Sequence, residues 1–300
     1  MKKAIIGVIL IYLRFFARLS LLINRPTVIG IAGTAGKSST RNALFSILKD
    51  HYIVKAIYGN SETGLPLGIL GIQVFGYGIF SWAKMLLKAP FGIFHLTHTK
   101  YLIAEMGIDE PDPPKNKEYL LTILKPQISI YLNEGAVHTM QFEKLAKNKS
   151  FKSGDEKINF LIKKLAEEDV KIITKSGCRI AIFNHDDKYI TNQTLLSFGK
   201  DSSNSAQYTA YSVDLNGTHF RIKVEGVEYV LHFKDFVMPE VYRENIASAI
   251  LAAVKIGLSI EKTEASLTRN FRLPAGRSSI FSGINKSVII DSSYNASKNS

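Results

Sequence analysis

The chain has 300 residues, of which 46% are hydrophobic, and carries a formal net charge of +12. That length supports a sizeable core and about two domains. The charge suits anionic ligands such as nucleotides or a membrane surface. The basic residues are scattered, without regular aromatic interleaving, and many lie between Lys144 and Lys175 on a solvated helical face. This argues against a nucleic-acid-binding protein. The single cysteine, Cys178, excludes an intrachain disulfide and a cysteine-built zinc site and fits a reducing cytoplasm.

In chain order, residues 4–23 come first, apolar but broken by Arg14 and Arg18, which share one face of a helix. Two central charges disfavour a free membrane span, and no small-residue cleavage site follows. An interfacial amphipathic helix is the first reading, a helix packed on the domain the second and a true span the third. Thr27–Ala32 then reads as a strand, Lys37–Leu48 as a helix and residues 52–57 as a strand. Strands follow at 101–106 and 127–132 with a helix near 117–124, then a helix at 158–165 and a buried strand at 179–183. Such alternation predicts an α/β fold with a doubly wound, mainly parallel sheet. Residues 207–233 alternate and are punctuated by Asn216-Gly217 and Glu225-Gly226, which predicts a small antiparallel element beside that sheet. Helices at 240–256 and 261–270 and a strand at 287–291 complete the pattern.

The turn after the first strand reads Gly33-Thr34-Ala35-Gly36-Lys37-Ser38-Ser39. A strand that breaks into glycines, then lysine and hydroxyls, then a helix is a phosphate cradle. Its glycines admit backbone N–H groups to phosphate oxygens, Lys37 neutralises the β- and γ-phosphates, and Ser38 offers its hydroxyl to Mg²⁺. The residue five before Gly36 is Ile31 rather than the glycine of the common P-loop. Polar residues close several apolar strands: Glu105, Asn133 with His138 five residues on, Asn184 with Asp186 and Asp187, and Asp291. In a parallel sheet, ligands sit at such carboxyl ends. Glu105 and Ser38 are suitable oxygen ligands for Mg²⁺. His138 reads equally as a metal or phosphate ligand and as a hydrogen-bonded loop histidine.

Taken in order, the phosphate loop, Asn60-Ser-Glu62-Thr-Gly64-Leu-Pro66, Glu105-Met-Gly107 and Asn133-Glu-Gly-Ala-Val-His138 resemble the Mur ligases. These are the ATP-dependent ligases that build the peptidoglycan stem peptide. Asn184-His-Asp186-Asp187, Asn245, Gly276-Arg277 and Asp291-Ser-Ser-Tyr294-Asn295-Ala296 continue the series. The last of these is the ending of the branch that adds D-alanyl-D-alanine. The resemblance implies that the carboxylate of a UDP-muramyl peptide attacks ATP to give an acyl phosphate. An amine, from an amino acid or a dipeptide such as D-alanyl-D-alanine, then displaces phosphate. It also implies Lys37, Ser38, Glu105 and His138 around the phosphates and magnesium ions, with Gly33, Thr34, Gly36 and Ser39 completing the loop. Asn245, Arg277 and Asp291 would bind nucleotide, and Lys157 is the candidate for a carbamylated lysine that holds a second metal.

Three positions depart from the family pattern: Ser292 replaces a second aspartate, Val241-Tyr242 a His-Asn pair, and Ser297-Lys298 an Asn-Pro pair. The expected organisation is an N-terminal helix over 1–26, a central ATP-binding domain over 27–290 and the start of a linker over 291–300. With the family's sugar-binding and amine-delivering domains absent, the expected chain binds ATP but does not complete ligation alone. It is expected in the cytoplasm, with contact of residues 4–23 at the inner membrane face. Two alternatives stay open, a folate-polyglutamate-type ligase and a non-catalytic nucleotide-binding module at the membrane.

Overall fold

A computed structural model describes residues 2–76, 78–189, 196–234, 236–273, 276–277 and 279–293. In chain order the elements are helix α1 (Lys2–Asn24), strand β1 (Thr27–Ala32), α2 (Lys37–Leu48), β2 (Val54–Ile57), α3 (Gly64–Ile69) and α4 (Ile79–Lys88). A 3₁₀ turn at Phe91–Phe94 leads to β3 (Tyr101–Glu105), α5 (Lys117–Ile123) and β4 (Ile128–Tyr131). Successive 3₁₀ turns at Ala136–Ala146 precede α6 (Gly154–Asp169), α7 (Lys171–Thr174) and β5 (Ile180–Asn184). Then follow β6 (Leu196–Gly199), β7 (Ala206–Asp214), β8 (Gly217–Val224) and β9 (Val227–Phe233). The last elements are α8 (Tyr242–Ile256), α9 (Ile260–Asn270), β10 (Ser279–Ser282), a 3₁₀ turn and β11 (Val288–Asp291).

The chain forms two compact units, residues 1–35 with 52–181, and residues 36–51 with 182–300. In the first unit, parallel strands run in the order β2-β3-β1-β4, with Ile31 opposite Glu105 and Ala32 opposite Tyr131. Val28, Ala32, Leu102 and Ala104 pack with Leu120 of α5 and Leu161 and Leu165 of α6. Ile29 and Ile31, which point to the opposite face, are also fully buried. Strands buried on both faces read as continuous apolar runs, which is why β1, β3 and β4 were legible in the sequence. Side-chain caps start the helices: Asn116 accepts from the Tyr119 N–H at 3.1 Å and Ser153 from that of Glu156 at 3.2 Å.

In the second unit, β5, β6 and β7 pair in parallel, and β8 and β9 continue the same ladder antiparallel. The antiparallel segment is therefore an extension of parallel strands rather than a separate piece beside them. A distinct two-stranded antiparallel sheet does occur, built from β10 and β11. Glu225 and Gly226 both have positive φ, 48° and 90°, as a tight hairpin turn demands. In the other hairpin Asp214 pairs with Gly217, so Gly217 opens β8 and the turn itself is Leu215-Asn216. The Asn216 N–H donates to Asp214 Oδ1 at 2.7 Å, a local turn made by an aspartate side chain.

The structure adds elements to the sequence reading. Helices α3 and α4 and the short strands β6 and β10 were not anticipated. Several lysines between 144 and 175 form surface ion pairs, as in Lys144 with Asp112 at 2.6 Å and Lys171 with Glu168 at 2.5 Å. Helix α1 packs one stripe, Leu10, Leu13, Ala17 and Ser20, against its unit and leaves its other face exposed. The packed reading therefore describes one face of the helix, and Ile5, Val8, Ile11 and Phe15 lie exposed on the rest. Ala4–Asn24 is long and apolar enough to cross a membrane. The stripe from residue 10 onward holds it against the protein, however, and Asn24 Nδ2 donates to the Ile93 carbonyl at 2.7 Å.

Candidate phosphate-binding site

The phosphate loop is held in two halves. In the first unit, Gly33 follows β1 with φ 128°, and a Cβ there would lie 2.9 Å from the Asn133 carbonyl and 3.0 Å from its nitrogen. Asn133, just past β4, grips this half three ways. Its carbonyl accepts from the Thr34 N–H at 2.8 Å, its Oδ1 accepts from the Ala35 N–H at 3.1 Å, and its backbone occupies the space that a side chain at Gly33 would need. Thr34 Oγ1 donates to Glu134 Oε2 at 2.6 Å and accepts from the Gly135 N–H at 3.2 Å.

Glu105 ends β3 opposite Ile31, two residues before Gly33, with 4% of its surface exposed. The Met106 N–H donates to the Ile31 carbonyl at 2.8 Å, which fixes the end of β3 against β1. Gly107 donates to the Asn60 carbonyl at 3.1 Å, so two of the quoted motifs, at 60–66 and 105–107, adjoin. Behind them Lys117, fully buried, donates to the Met106 carbonyl and pairs with Asp169 at 2.8 Å. His138 is half-buried in the 3₁₀ segment. Lys157, on α6, pairs with Glu143 at 2.5 Å.

In the second unit, Gly36 is the N-cap of α2 with φ 86° and no side-chain cap, so the helix begins with backbone alone. A Cβ on Gly36 would run into Asn245 Oδ1. Asn245 is buried on α8, and Thr40 Oγ1 donates to its Oδ1 at 3.4 Å. Lys37 and Ser38 occupy the first turn, half-buried, while Ser39 is buried. Asp291 ends β11 and accepts from the Ser293 N–H at 3.0 Å and the Ser293 hydroxyl at 2.7 Å. These bonds, with a further one from the Gly276 N–H, hold its carboxyl below the usual range. Asp291 thus adjoins the turn that carries Arg277. Residues 294–296 of that motif lie outside the described residues.

The cluster at the end of β5 is hydrogen-bonded within the second unit. Asp186 accepts from Tyr208 OH at 2.6 Å and from the Lys200 N–H at 3.1 Å, and Asn184 Nδ2 donates to Glu244 at 3.3 Å. Burial, then the Asp186 carboxylate, pushes the Tyr208 phenol far up.

Two glycines whose side-chain space is already filled and an uncapped helix start fit a phosphate. A carboxylate such as that of Glu105 and a hydroxyl such as that of Ser38 are each the hard oxygen type that Mg²⁺ prefers, as the backbone N–H groups of a helix start suit a phosphate. Among the described residues no three His, Cys, Asp or Glu side chains cluster. Mg²⁺ needs no such cluster, since it is usually held by one or two carboxylates, waters and substrate phosphates. The sequence reading missed how Asn133 and Glu134 hold the loop. The signal was Asn133-Glu-Gly closing the strand beside β1, but which strand neighbours β1 is not a local property.

No family model matches the chain. It is 27% identical over 280 residues to the UDP-N-acetylmuramoyl-tripeptide–D-alanyl-D-alanine ligase of Rickettsia prowazekii, covering 92% of this chain and 54% of that protein. The chain thus spans about half the length of this curated relative. The MurF ligase of Thermotoga maritima, solved in complex with ADP, superposes with a TM-score of 0.69 at 21% identity, covering 96% of this chain and 58% of that one. A point mutant of the L. casei enzyme FPGS matches with a TM-score of 0.60 at 14% identity, covering 94% of this chain and 71% of that one. By sequence and by fold, the chain is similar to the Mur ligases, and the curated proteins it matches are named as the D-alanyl-D-alanine-adding enzyme, MurF.

Proposed function

We propose that residues 27–290 are the ATP-binding part of an ATP-dependent amide ligase of cell-wall precursor synthesis. It joins a UDP-muramyl-peptide carboxylate to an amine such as D-alanyl-D-alanine. The observation that carries this reading is the doubly held glycine loop at the start of α2, together with the buried carboxylate of Glu105 beside the end of β1. The relative's name supplies the substrate class. Loop N–H groups and Lys37 hold the β- and γ-phosphates and draw off charge as the substrate carboxylate attacks the γ-phosphorus and ADP leaves with the bridging oxygen. Ser38 and Glu105, with His138 and a carbamylated Lys157 as further candidates, would hold Mg²⁺, which would supply neutralisation of phosphate charge. Asn245, Arg277 and Asp291 orient the nucleotide. The amine then displaces phosphate from the acyl phosphate, leaving the amide. The same reading gives a cytoplasmic protein that touches the inner membrane face through residues 4–23.

Calorimetry with Mg-ATP tests the site. Lys37→Ala removes a charge-assisted contact of about 1.5–3 kcal/mol, so affinity should fall at least about tenfold. Equal affinity in variant and parent would reject it. Glu105→Gln should keep the ligand-free melting temperature while weakening the Mg²⁺-dependent stabilisation by ATP. ADP release with UDP-muramyl tripeptide and D-alanyl-D-alanine, compared with a folate and glutamate, separates the two ligase readings.

A further inference from the structure

Helix α1 is not alone at the surface. The segment from α4 through the following 3₁₀ turn packs beside it around a shared small core of Leu13, Leu67, Leu70, Met85 and Ala89. Tyr12 OH donates to the Leu86 carbonyl at 3.1 Å across this contact. Outward, α1 shows Ile5, Val8, Ile11 and Phe15, each more than half exposed. The second segment shows Ile79, Phe80, Leu87, Phe91 and Phe94, among which Phe80 is 84% and Leu87 73% exposed. An apolar notch of about 300 Å³, lined by Val8, Ile9 and Tyr12 from α1 and by Leu86 and Leu87 from α4, joins the two exposed faces. Soluble monomers rarely show so large a continuous apolar surface.

The charge around it selects the occupant. No Asp or Glu occurs from Met1 to Lys49, nor from Thr63 to Ala104. The same stretches carry Lys2, Lys3, Arg14, Arg18 and Arg25, and Lys84, Lys88 and Lys100. A protein-facing patch is typically depleted of lysine, and its polar rim has no reason to avoid one sign of charge. An apolar face carried by stretches that hold basic residues and no acid matches an anionic lipid surface.

We propose that α1 and the α4–3₁₀ segment form one two-element docking surface for an anionic bilayer, seated in the headgroup layer without crossing it. This deepens the membrane contact proposed above for residues 4–23, and rests on it, by adding a second element that the contact requires. Two helices side by side fix the orientation of the unit on the membrane, which a single interfacial helix leaves free to roll.

The chain's one tryptophan, Trp82, lies on α4 and reports on that element directly. The intact protein is mixed with phosphatidylcholine vesicles with and without phosphatidylglycerol, and floated. Trp82 emission is followed with brominated acyl chains as quencher. Two variants, Phe80→Glu/Leu87→Glu and Val8→Glu/Phe15→Glu, change exposed residues only. Their far-UV circular dichroism and melting should match the parent. The expected result is flotation at least tenfold stronger with phosphatidylglycerol, quenching of Trp82, and at least a tenfold loss of binding in each variant. If the α4 variant floats like the parent and Trp82 is not quenched while the α1 variant is released, the two-element surface is overturned and the α1 contact alone survives. No flotation of the parent overturns both. A lipid-free dimer by sedimentation that either variant dissociates would assign the face to a second copy of the chain, also against the proposal.

Discussion

The two halves of the phosphate loop are fixed by different means. Gly33 is hemmed in by backbone, the carbonyl and nitrogen of Asn133. Gly36 is hemmed in by one side chain, the amide of Asn245. Backbone at a strand end cannot withdraw without breaking the ladder that holds it, whereas a side chain can be truncated or can rotate away. The first half should therefore be intolerant of change and the second adjustable, although both glycines have φ values that L-residues avoid.

The largest expected effect is that of Gly33→Ala. It combines a forbidden φ with overpacking against backbone, about 3 kcal/mol or more in stability, with loss of Mg-ATP binding. Chemical denaturation and calorimetry measure both. A variant as stable as the parent would show that the Asn133 backbone gives way, and the contrast between the halves would collapse. Gly36→Ala should cost about 1–2 kcal/mol for its left-handed backbone, plus the collision with Asn245. Adding Asn245→Ala should recover part of that loss, a coupling of about 1 kcal/mol in a double-mutant cycle. Strict additivity would mean the collision is relieved elsewhere.

Asn133→Ala is a finer probe of the first half. It deletes the bond to the Ala35 N–H and keeps the backbone bond from Thr34, so the expected cost is about 1 kcal/mol. A much larger cost would mean that side chain, not backbone, holds Gly33. The smallest effect concerns the far end of α2. Asp50 accepts from Arg269 Nη2 at 2.5 Å and from Asn270 Nδ2 at 2.6 Å. Burial, the largest single influence, raises its pKa, but the hydrogen bonds from Arg269, Ser266 and Asn270 and the Arg269 charge together outweigh it and lower it overall. A lowered folded pKa stabilises above the unfolded value, near 4, and that contribution is lost as pH falls through the folded pKa. The stability difference between the parent and Asp50→Asn should therefore be present at neutral pH and vanish in acid. A difference that persists unchanged in acid would remove the carboxylate's charge from the explanation.

Legibility followed the range of the signal. Helix α2 was read to the residue, because a glycine stop and a run of hydroxyls mark its start within the sequence itself. The Glu225-Gly226 turn was read for the same reason. Helix α4 was missed because Ile79, Phe80 and Leu87 are exposed, so the alternation of apolar and polar faces on which a helical period depends is absent. The same exposure is what makes α4 informative once its place beside α1 is known. Lys157 shows the opposite limit: its candidacy came from motif order alone, and its partner is Glu143.

By itself the sequence determined what backbone freedom and periodicity can encode: the buried parallel strands, the glycine break before Lys37 and the basic, acid-free stretches around α1 and α4. Tertiary structure alone decided which groups hold the loop. Ala35 and Asn133 are 98 residues apart in sequence and Thr40 and Asn245 are 205 apart, yet each pair is within hydrogen-bonding distance. Steric exclusion and hydrogen bonding act over a few ångströms of space, and no local pattern in the chain states which distant residue will occupy them.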